Sequence, residues 1–223
     1  MREIDFMGVL HKSTHRDYLA RVNDSDFPKA KAAKLAKKYD FDYWDGDRRI
    51  NYGGYQYIPG RWEKVARKMT ETYQLNDSSK ILDIGCGKGY LLYDFKKILP
   101  KCNIFGLDIS NYALEHCKKE ISSNLIYGSS CKLPWEDNYF DLVISINTFH
   151  NLHCYELEKS ILEMERVGKK HKYICVESYR NEEEKANLLY WQVTCESFYN
   201  PKEWDWWFKK CKYNGDYSFI FFE

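Results

Sequence analysis

Short apolar runs alternate with longer amphipathic stretches through the middle of the chain. The apolar runs lack strict alternation with polar residues, which is typical of strands covered on both faces. Candidate strands of this kind lie at residues 81–84, 104–108, 125–127, 142–146 and 173–176. Apolar side chains recur every three or four residues in the stretches between them, and this spacing predicts helices at 90–99, 112–121 and 155–167. Strands that alternate with helices predict a doubly wound α/β sheet.

The two ends of the chain depart from this alternation. Residues 29–38 are rich in Ala and Lys and are helical by propensity, and another helix is predicted at 61–73. Between these helices, residues 48–62 contain glycines, a proline and several tyrosines, which indicate an ordered loop. The sequence therefore divides into an N-terminal helical and aromatic-loop extension (residues 1–75) and a core domain (residues 76–223).

The first predicted strand leads directly into a glycine-rich turn. Residues 81–90 read Ile-Leu-Asp-Ile-Gly-Cys-Gly-Lys-Gly-Tyr. Gly85, Gly87 and Gly89 allow positive φ angles and a close approach of the backbone to a ligand. The next strand ends at Asp108, whose carboxylate can accept two hydrogen bonds from a ribose diol. Because open α/β sheets bind ligands outside the carboxyl ends of their strands, this edge is the predicted binding site.

Three classes of ligand compete for such a turn. A dinucleotide fingerprint requires Gly-x-Gly-x-x-Gly, but position 90 is Tyr, and a P-loop requires Lys followed by Ser or Thr, but Lys88 precedes a glycine. The extra carboxylate of Asp83 suits an ammonium group better than a pyrophosphate. The motif therefore favours a nucleoside that carries an amino-acid tail.

With these motifs the chain resembles the class I S-adenosylmethionine-dependent methyltransferases over roughly residues 60 to 180. Two later stretches carry the same resemblance, residues 128–135 (Gly-Ser-Ser-Cys-Lys-Leu-Pro-Trp) and the strand and turn at 140–152. The resemblance implies S-adenosylmethionine as cofactor and a Rossmann-like, mostly parallel sheet of seven strands. Such a sheet closes with an antiparallel pair, for which residues 191–198 and 217–222 are the candidates.

The resemblance also implies which residues hold the cofactor. Those expected at the methionine part, the ribose and the adenine are Asp83, Gly85, Cys86, Gly87, Gly89, Asp108, Ile109, Ser129, Ser130, Cys131 and Asn147. Where the family has an aspartate that receives the adenine amino group, this chain has Ser129. Its hydroxyl accepts the same bond more weakly.

The aromatic loop is the candidate lid over cofactor and substrate. We expect Tyr52, Tyr55, Tyr57 and Arg61 to belong to it, because loops on a rigid scaffold often carry ligand contacts. Tyr55 and Arg61 are assigned to the cofactor, and Tyr52 is assigned to catalysis. The alternative is aromatic packing at the surface.

Two further catalytic candidates follow the fourth and fifth strands. His150 has the side chain best suited to a general base or proton relay, and Glu177 is placed to orient a hydroxyl or an amine. The alternative for His150 is a structural turn histidine. Its spacing from His153 suggests a metal, but catalytic zinc needs three protein ligands and no third ligand stands at suitable spacing, so no metal is predicted.

Charge and composition restrict the remaining function classes. The chain has 34 basic and 33 acidic residues and a net charge of +1, so no global field attracts it to nucleic acid or anionic lipid. Eight cysteines occur without a Cys-x-x-Cys pair, and no apolar run approaches the ~20 residues of a membrane span. We expect a cytoplasmic protein with reduced thiols and no membrane partner.

The expected substrate is a small polar metabolite with an oxygen or nitrogen acceptor, such as a sugar or surface-polysaccharide precursor. Arg48 and Arg49 are candidates for binding an anionic group on it. The Asn-Pro-Pro-Tyr motif of enzymes that methylate amino groups of nucleic acids is absent after the fourth strand. One alternative is a protein or RNA methyltransferase that docks through residues 29–38, and another is a non-catalytic S-adenosylmethionine-binding protein. The oligomeric state is open, with a homodimer as one candidate.

Overall fold

A computed structural model describes residues 1–10 and 16–223, so residues 11–15 of the predicted extension lie outside the described part. Within the described residues, the strands are β1 (Lys80–Ile84), β2 (Asn103–Asp108), β3 (Leu125–Tyr127), β4 (Phe140–Ile146), β5 (Gly168–Glu177) and β6 (Asp216–Ile220). They form one sheet in the order β3-β2-β1-β4-β5-β6, and every neighbouring pair is parallel. The predicted doubly wound α/β architecture is confirmed.

Helices connect these strands and extend beyond them at both ends. They are α1 (Tyr18–Val22), α2 (Lys29–Ala36), α3 (Phe41–Trp44), α4 (Arg61–Thr72), α5 (Tyr90–Ile98), α6 (Asn111–Glu115), α7 (Cys154–Val167), α8 (Glu182–Trp191) and α9 (Pro201–Lys210). The helix predicted at 112–121 ends early, at Glu115, and a 3₁₀ turn at Lys119–Asn124 replaces its second half. No helix in the described ranges is both long and apolar enough to cross a membrane.

The predicted seventh strand and its antiparallel pairing are wrong for the described residues. Residues 191–198 form no strand, because Trp191 ends α8 and the amides of Glu196 and Ser197 donate to the carbonyl oxygen of His150, at 2.9 Å each. The backbone groups of this segment therefore bond to the turn after β4 and not to a sheet edge. The other predicted member is β6, which pairs with β5 in parallel.

The N-terminal residues cover the outer edge of β6. The amide of Ile4 donates to the carbonyl of Tyr217 at 2.8 Å, and the amide of Tyr217 donates to the carbonyl of Arg2 at 3.0 Å. Phe6 is fully buried, and its ring meets that of Tyr173 in β5 edge to face, at 4.9 Å between centroids. The first residues therefore pack with the core sheet and satisfy an edge that would otherwise expose backbone groups.

A separate apolar cluster lies near the carboxyl ends of β1 and β2. It joins α2, α3 and the following loop through Ala36, Tyr43, Trp44 and Ile50, and it rests on Ala113 of α6. We call residues 39–62, which form the part nearest the strands, the roof. The roof is the predicted aromatic loop together with α3, and it encloses the carboxyl ends of β1 and β2.

Candidate active site

A cavity of about 310 Å³ lies between the roof and the carboxyl ends of β1, β2 and β4. The turns after these strands and the segment after β3 all contribute to its lining. Twelve of the residues expected to bind the cofactor line it: Asp83, Gly85, Cys86, Gly87, Asp108, Ile109, Ser129, Ser130, Cys131, Asn147, Tyr55 and Arg61. Gly89 instead starts α5 (φ +70°), where an added Cβ would lie 2.7 Å from the side chain of Ile121.

The glycine turn after β1 brings the roof and the sheet close together. Gly87 has a φ of +55°, and a Cβ added there would lie 2.7 Å from Cη2 of Trp44. The side chain of Trp44 in the roof therefore makes a close approach that itself requires glycine at this position. The indole of Trp44 is held in turn by a hydrogen bond from Nε1 to Oγ of Ser110, at 2.9 Å.

Asp108, at the end of β2, ties the glycine turn to the next loop. Its Oδ2 accepts from the amide of Gly87 at 2.7 Å, and its Oδ1 accepts from the amide of Ser110 at 2.8 Å. Burial raises the pKa of this carboxyl, against the backbone hydrogen bonds that lower it. Since each carboxylate oxygen has more than one lone pair, the side chain can accept further hydrogen bonds from a ligand in the cavity.

Asp83, in β1, is buried and lines the same cavity. No side chain or amide in residues 1–10 and 16–223 donates a hydrogen bond to its carboxylate. Burial raises the pKa of Asp83 to about 7, and the neighbouring Asp108 adds to the shift. A buried carboxylate normally needs a cation or hydrogen-bond donors, so this position is suited to a positively charged group on a ligand.

The segment after β3 lines the cavity with small polar side chains. The hydroxyl of Ser129 accepts from the amide of Cys131 at 3.2 Å, and its proton can still reach another acceptor. The hydroxyl of Ser130 bonds to that of Ser160 at 2.7 Å. On the side of β2, Ile109 adds an exposed apolar side chain to the same lining. This part of the cavity is suited to a flat, weakly polar group.

A buried ion pair fastens the roof to the glycine turn. Nζ of Lys88 lies 2.7 and 2.8 Å from the two carboxylate oxygens of Asp45, and it also donates to the carbonyl of Tyr55 at 2.9 Å. The hydroxyl of Tyr112 donates to the same carboxylate at 2.9 Å. Burial opposes ionisation of Asp45, but the hydrogen bonds from Lys88 and Tyr112 outweigh it and lower its pKa.

The four residues expected in the lid fall in two places. Tyr52, Tyr55 and Arg61 line the large cavity, and the ring of Tyr52 stacks on that of Trp44 with 5.4 Å between centroids. Tyr57 lies away from the cavity, because its hydroxyl donates to Oδ1 of Asp94 in α5 at 2.6 Å. Tyr57 therefore anchors the end of the roof to the core.

A second cavity, of about 140 Å³, adjoins the first. The two share Tyr43, Tyr52, Asn147 and Asn151 in their linings. Asn147 has a φ of +55°, and the buried side-chain oxygens of Asn147 and Asn151 lack a hydrogen-bond partner in the described part of the chain. The remaining lining includes Arg16, Arg48, His150, Glu177, Trp191 and Gln192. Two linked compartments of unequal size suit a cofactor and an acceptor.

His150 and Glu177 meet in this second cavity. Nδ1 of His150 accepts from the backbone amide of Glu177 at 3.2 Å, so the ring proton resides on Nε2, which lies 3.5 Å from Oε2 of Glu177. Burial lowers the pKa of His150 to about 3 and raises that of Glu177 to about 8. Oε1 of Glu177 accepts from Gln192, while the buried Oε2 has no hydrogen-bond partner in the described residues.

Several residues of the two cavities were not among the sequence candidates. They are Tyr39, Tyr43, Trp44, Asn151, Arg16, Trp191 and Gln192. They come from segments far apart in sequence, and no local pattern distinguishes them from other residues. Within the described ranges, no group of three or more His, Cys, Asp or Glu side chains is arranged to hold a metal ion.

The parallel sheet, the glycine turn and the acid at the end of β2 define a class I methyltransferase fold. A family profile described as a methyltransferase domain matches residues 75–213, which is well over half of the chain. The chain therefore belongs to this methyltransferase family. The match begins just before β1 and ends just before β6, so the roof lies outside it.

Similar proteins agree with this assignment. An uncharacterized methyltransferase of Schizosaccharomyces pombe is 34% identical over 120 residues, which cover 47% of this chain and 42% of the relative. The tRNA (carboxymethyluridine(34)-5-O)-methyltransferase of Arabidopsis thaliana is 30% identical over 130 residues, which cover 58% of this chain and 30% of the relative. This chain thus matches less than half the length of either. A solved methyltransferase structure from Aquifex aeolicus shares the fold, with a TM-score of 0.51 at 20% identity over 70% of this chain and 83% of that chain.

Proposed function

We propose that this chain is an S-adenosylmethionine-dependent methyltransferase. The observation that carries the proposal is the pair of buried carboxylates, Asp83 and Asp108, on one cavity beneath the roof. Asp83 has no protein donor in the described part of the chain and is suited to the ammonium group, whereas Asp108 keeps lone pairs for the ribose diol. When bound, S-adenosylmethionine supplies an electrophilic methyl group.

The remaining lining residues fit the rest of such a molecule. Ser129, Ser130, Cys131 and Ile109 offer a weakly polar wall for the adenine ring. Asn147 borders both cavities, and its side-chain oxygen has no hydrogen-bond partner among the described residues. Tyr55 and Arg61 belong to the roof, which serves as a lid that excludes water. The Lys88–Asp45 pair keeps this lid on the glycine turn.

On the acceptor side, Glu177 acts as the general base. Its Oε2 takes the proton from a hydroxyl or amine of the acceptor, and a carboxyl with a pKa of about 8 is matched to proton transfer near neutral pH. His150 is a positioning residue, because its Nδ1 is used by the amide of Glu177 and its buried ring is neutral. Tyr52 borders both cavities and orients the acceptor. Such orientation can supply up to roughly 7–11 kcal/mol.

The acceptor is proposed to be a small polar metabolite methylated on oxygen or nitrogen. The small volume of the second cavity, about 140 Å³, favours a small molecule over a polymer. The relatives' names range over tRNA, sterol and quinone methyltransferases, so an RNA acceptor is the second candidate. The Lys-rich α2 would be its docking element, and steep loss of RNA binding with added salt would favour it.

The experiment is an incubation of the protein and a metabolite extract with methyl-labelled S-adenosylmethionine, followed by mass spectrometry. We expect one labelled small molecule and an equal amount of S-adenosylhomocysteine. Label found in RNA or protein instead would replace the proposed acceptor. Binding of the cofactor without transfer to any fraction would favour a non-catalytic binder and contradict the proposal.

A further inference from the structure

Three guanidinium groups surround the ring of Trp191 at the second cavity. The central carbons of Arg16, Arg21 and Arg48 lie 5.4, 5.0 and 5.6 Å from its centroid. Arg16, Arg48 and Trp191 line the cavity itself, while Arg21 stands behind them and donates to the carbonyls of Arg49 and Ile50. Stacking on an aromatic ring fixes a guanidinium plane but does not neutralise its charge.

Neither Arg21 nor Arg48 is held by a carboxylate in an ion pair among the described residues. Partial burial lowers the pKa of Arg48, and the nearby Arg16 lowers it further, as expected for cations that repel one another. Among the described residues that line the cavity, Glu177 is the only acidic one, and its raised pKa keeps it largely protonated at neutral pH.

The neighbouring Arg49, in contrast to Arg48, is paired with carboxylates. Its guanidinium pairs with Asp47 at 2.7 Å and with Asp26 at 2.9 Å, and Asp24 lies 3.8 Å away. It is absent from the lining of the second cavity. Of the two adjacent arginines that the sequence offered for anion binding, only Arg48 therefore faces the candidate acceptor compartment.

We propose that the acceptor is a small anionic molecule whose carboxylate or phosphate group binds Arg48, beside Arg16, at the opening of the second cavity. The proposal rests on the methyl transfer proposed above, because it names the substrate class of the same site. The anion relieves the repulsion between the two guanidinium groups and gains charge-assisted hydrogen bonds.

Other polar atoms of the same lining support this orientation. Oε2 of Glu177 and the side-chain oxygens of Asn147 and Asn151 are buried there without hydrogen-bond partners in the described residues. Hydrogen-bond donors on a ligand would satisfy these oxygens. A molecule with its anionic end on Arg48 therefore presents a hydroxyl or amine to Glu177, next to the boundary with the cofactor cavity.

The first arm of the test is calorimetric binding of inorganic phosphate and of malonate to the full chain without cofactor. We expect at least one probe to bind, and the stronger of the two identifies the anionic group. Arg48→Gln should weaken that binding by about tenfold or more, as loss of a charge-assisted pair implies, and Arg48→Lys should retain part of it. The matched control is Arg49→Gln, expected within about twofold of wild type. No binding of either probe, or equal effects of Arg48→Gln and Arg49→Gln, would overturn the inference.

The second arm separates this inference from the proposed function. A metabolite extract is split on an anion exchanger, and each fraction is incubated with methyl-labelled S-adenosylmethionine and the protein. We expect the label in the anionic fraction, with a raised KM for Arg48→Gln and not for Arg49→Gln. Label only in the neutral or cationic fraction would overturn the anionic acceptor and leave the methyltransferase proposal standing. No transfer to either fraction would overturn both.

Discussion

Lys88 and Asp45 form a buried ion pair, with 2.7 Å between Nζ and Oδ2, that joins the glycine turn to the roof. The lysine side chain is 2% exposed, and the carboxylate is 15% exposed. Lys88 occupies a position in the turn where a phosphate-binding loop would direct a lysine at its ligand. Here the ammonium group pairs with Asp45 instead, so the same residue type holds the roof on the glycine turn.

Lys88→Met should destabilise the protein by about 3–5 kcal/mol, because it leaves the Asp45 carboxylate buried without its cation. Chemical denaturation gives the free energy of unfolding. Lys101→Met, an exposed lysine beyond the end of α5, is the control and should have little effect. The double variant Lys88→Met with Asp45→Asn should recover part of the lost stability. If the free-energy losses of the two single variants simply add in the double variant, the pair does not couple roof and turn.

Asp108→Asn should weaken the binding of S-adenosylhomocysteine by more than about 1 kcal/mol, since the ribose loses its charged acceptor. The amide retains an oxygen for one of the two backbone donors, so the fold should survive better than with alanine. Isothermal calorimetry measures the affinity, and Asp42→Asn, in the roof but outside the cavity lining, is the matched control. Equal affinities of the two variants would remove Asp108 from the cofactor site.

The affinity for S-adenosylhomocysteine should depend on pH through Asp83. The ammonium group of the ligand binds the ionised carboxylate, whose pKa in the free protein is about 7. Affinity should therefore be highest above this pH and fall as the pH decreases below it, by up to roughly tenfold per pH unit. Calorimetric titrations on both sides of neutrality, with Asp83→Asn as the comparison, measure the effect. A variant with the pH dependence of wild type would place the ammonium group elsewhere.

Glu177→Gln should lower the turnover rate by roughly 10²–10⁴-fold and remove its rise with pH. The rise is expected because Glu177 becomes ionised, and able to take a proton, only as the pH passes about 8. His150→Asn should lower the turnover rate less than Glu177→Gln does and keep its rise with pH, because it disturbs the position of Glu177 without replacing the base. If turnover of His150→Asn no longer rises with pH while that of Glu177→Gln still does, His150 is the base and Glu177 the positioning residue.

The sequence was most informative where one local pattern determines the structure. The apolar run before Asp83 and the run that ends at Asp108 are strands β1 and β2, and the helix predicted at 61–73 is α4 (Arg61–Thr72). Local patterns gave a wrong prediction where tertiary contacts determine the backbone conformation. Residues 191–198 are apolar enough for a strand, but the amides of Glu196 and Ser197 bond to the carbonyl of His150 and not to a sheet edge.

The roof was only partly predictable for the same reason. The aromatic loop was recognisable from its composition, but no pattern distinguishes Tyr52, which lines both cavities, from Tyr57, which donates to Asp94. The approach of Trp44 to Gly87 joins residues more than forty positions apart. Glycine was expected there because of a ligand, and the contact with a roof side chain is a second requirement that only the folded chain reveals.

A crystal structure of the protein with S-adenosylhomocysteine tests the central claim most directly. The account predicts the amino group of the ligand against Asp83, its ribose hydroxyls on Asp108, and the adenine beside Ser129, all beneath the roof. A ligand-free cavity in those crystals, or a phosphate-linked nucleotide between the two carboxylates, would contradict it.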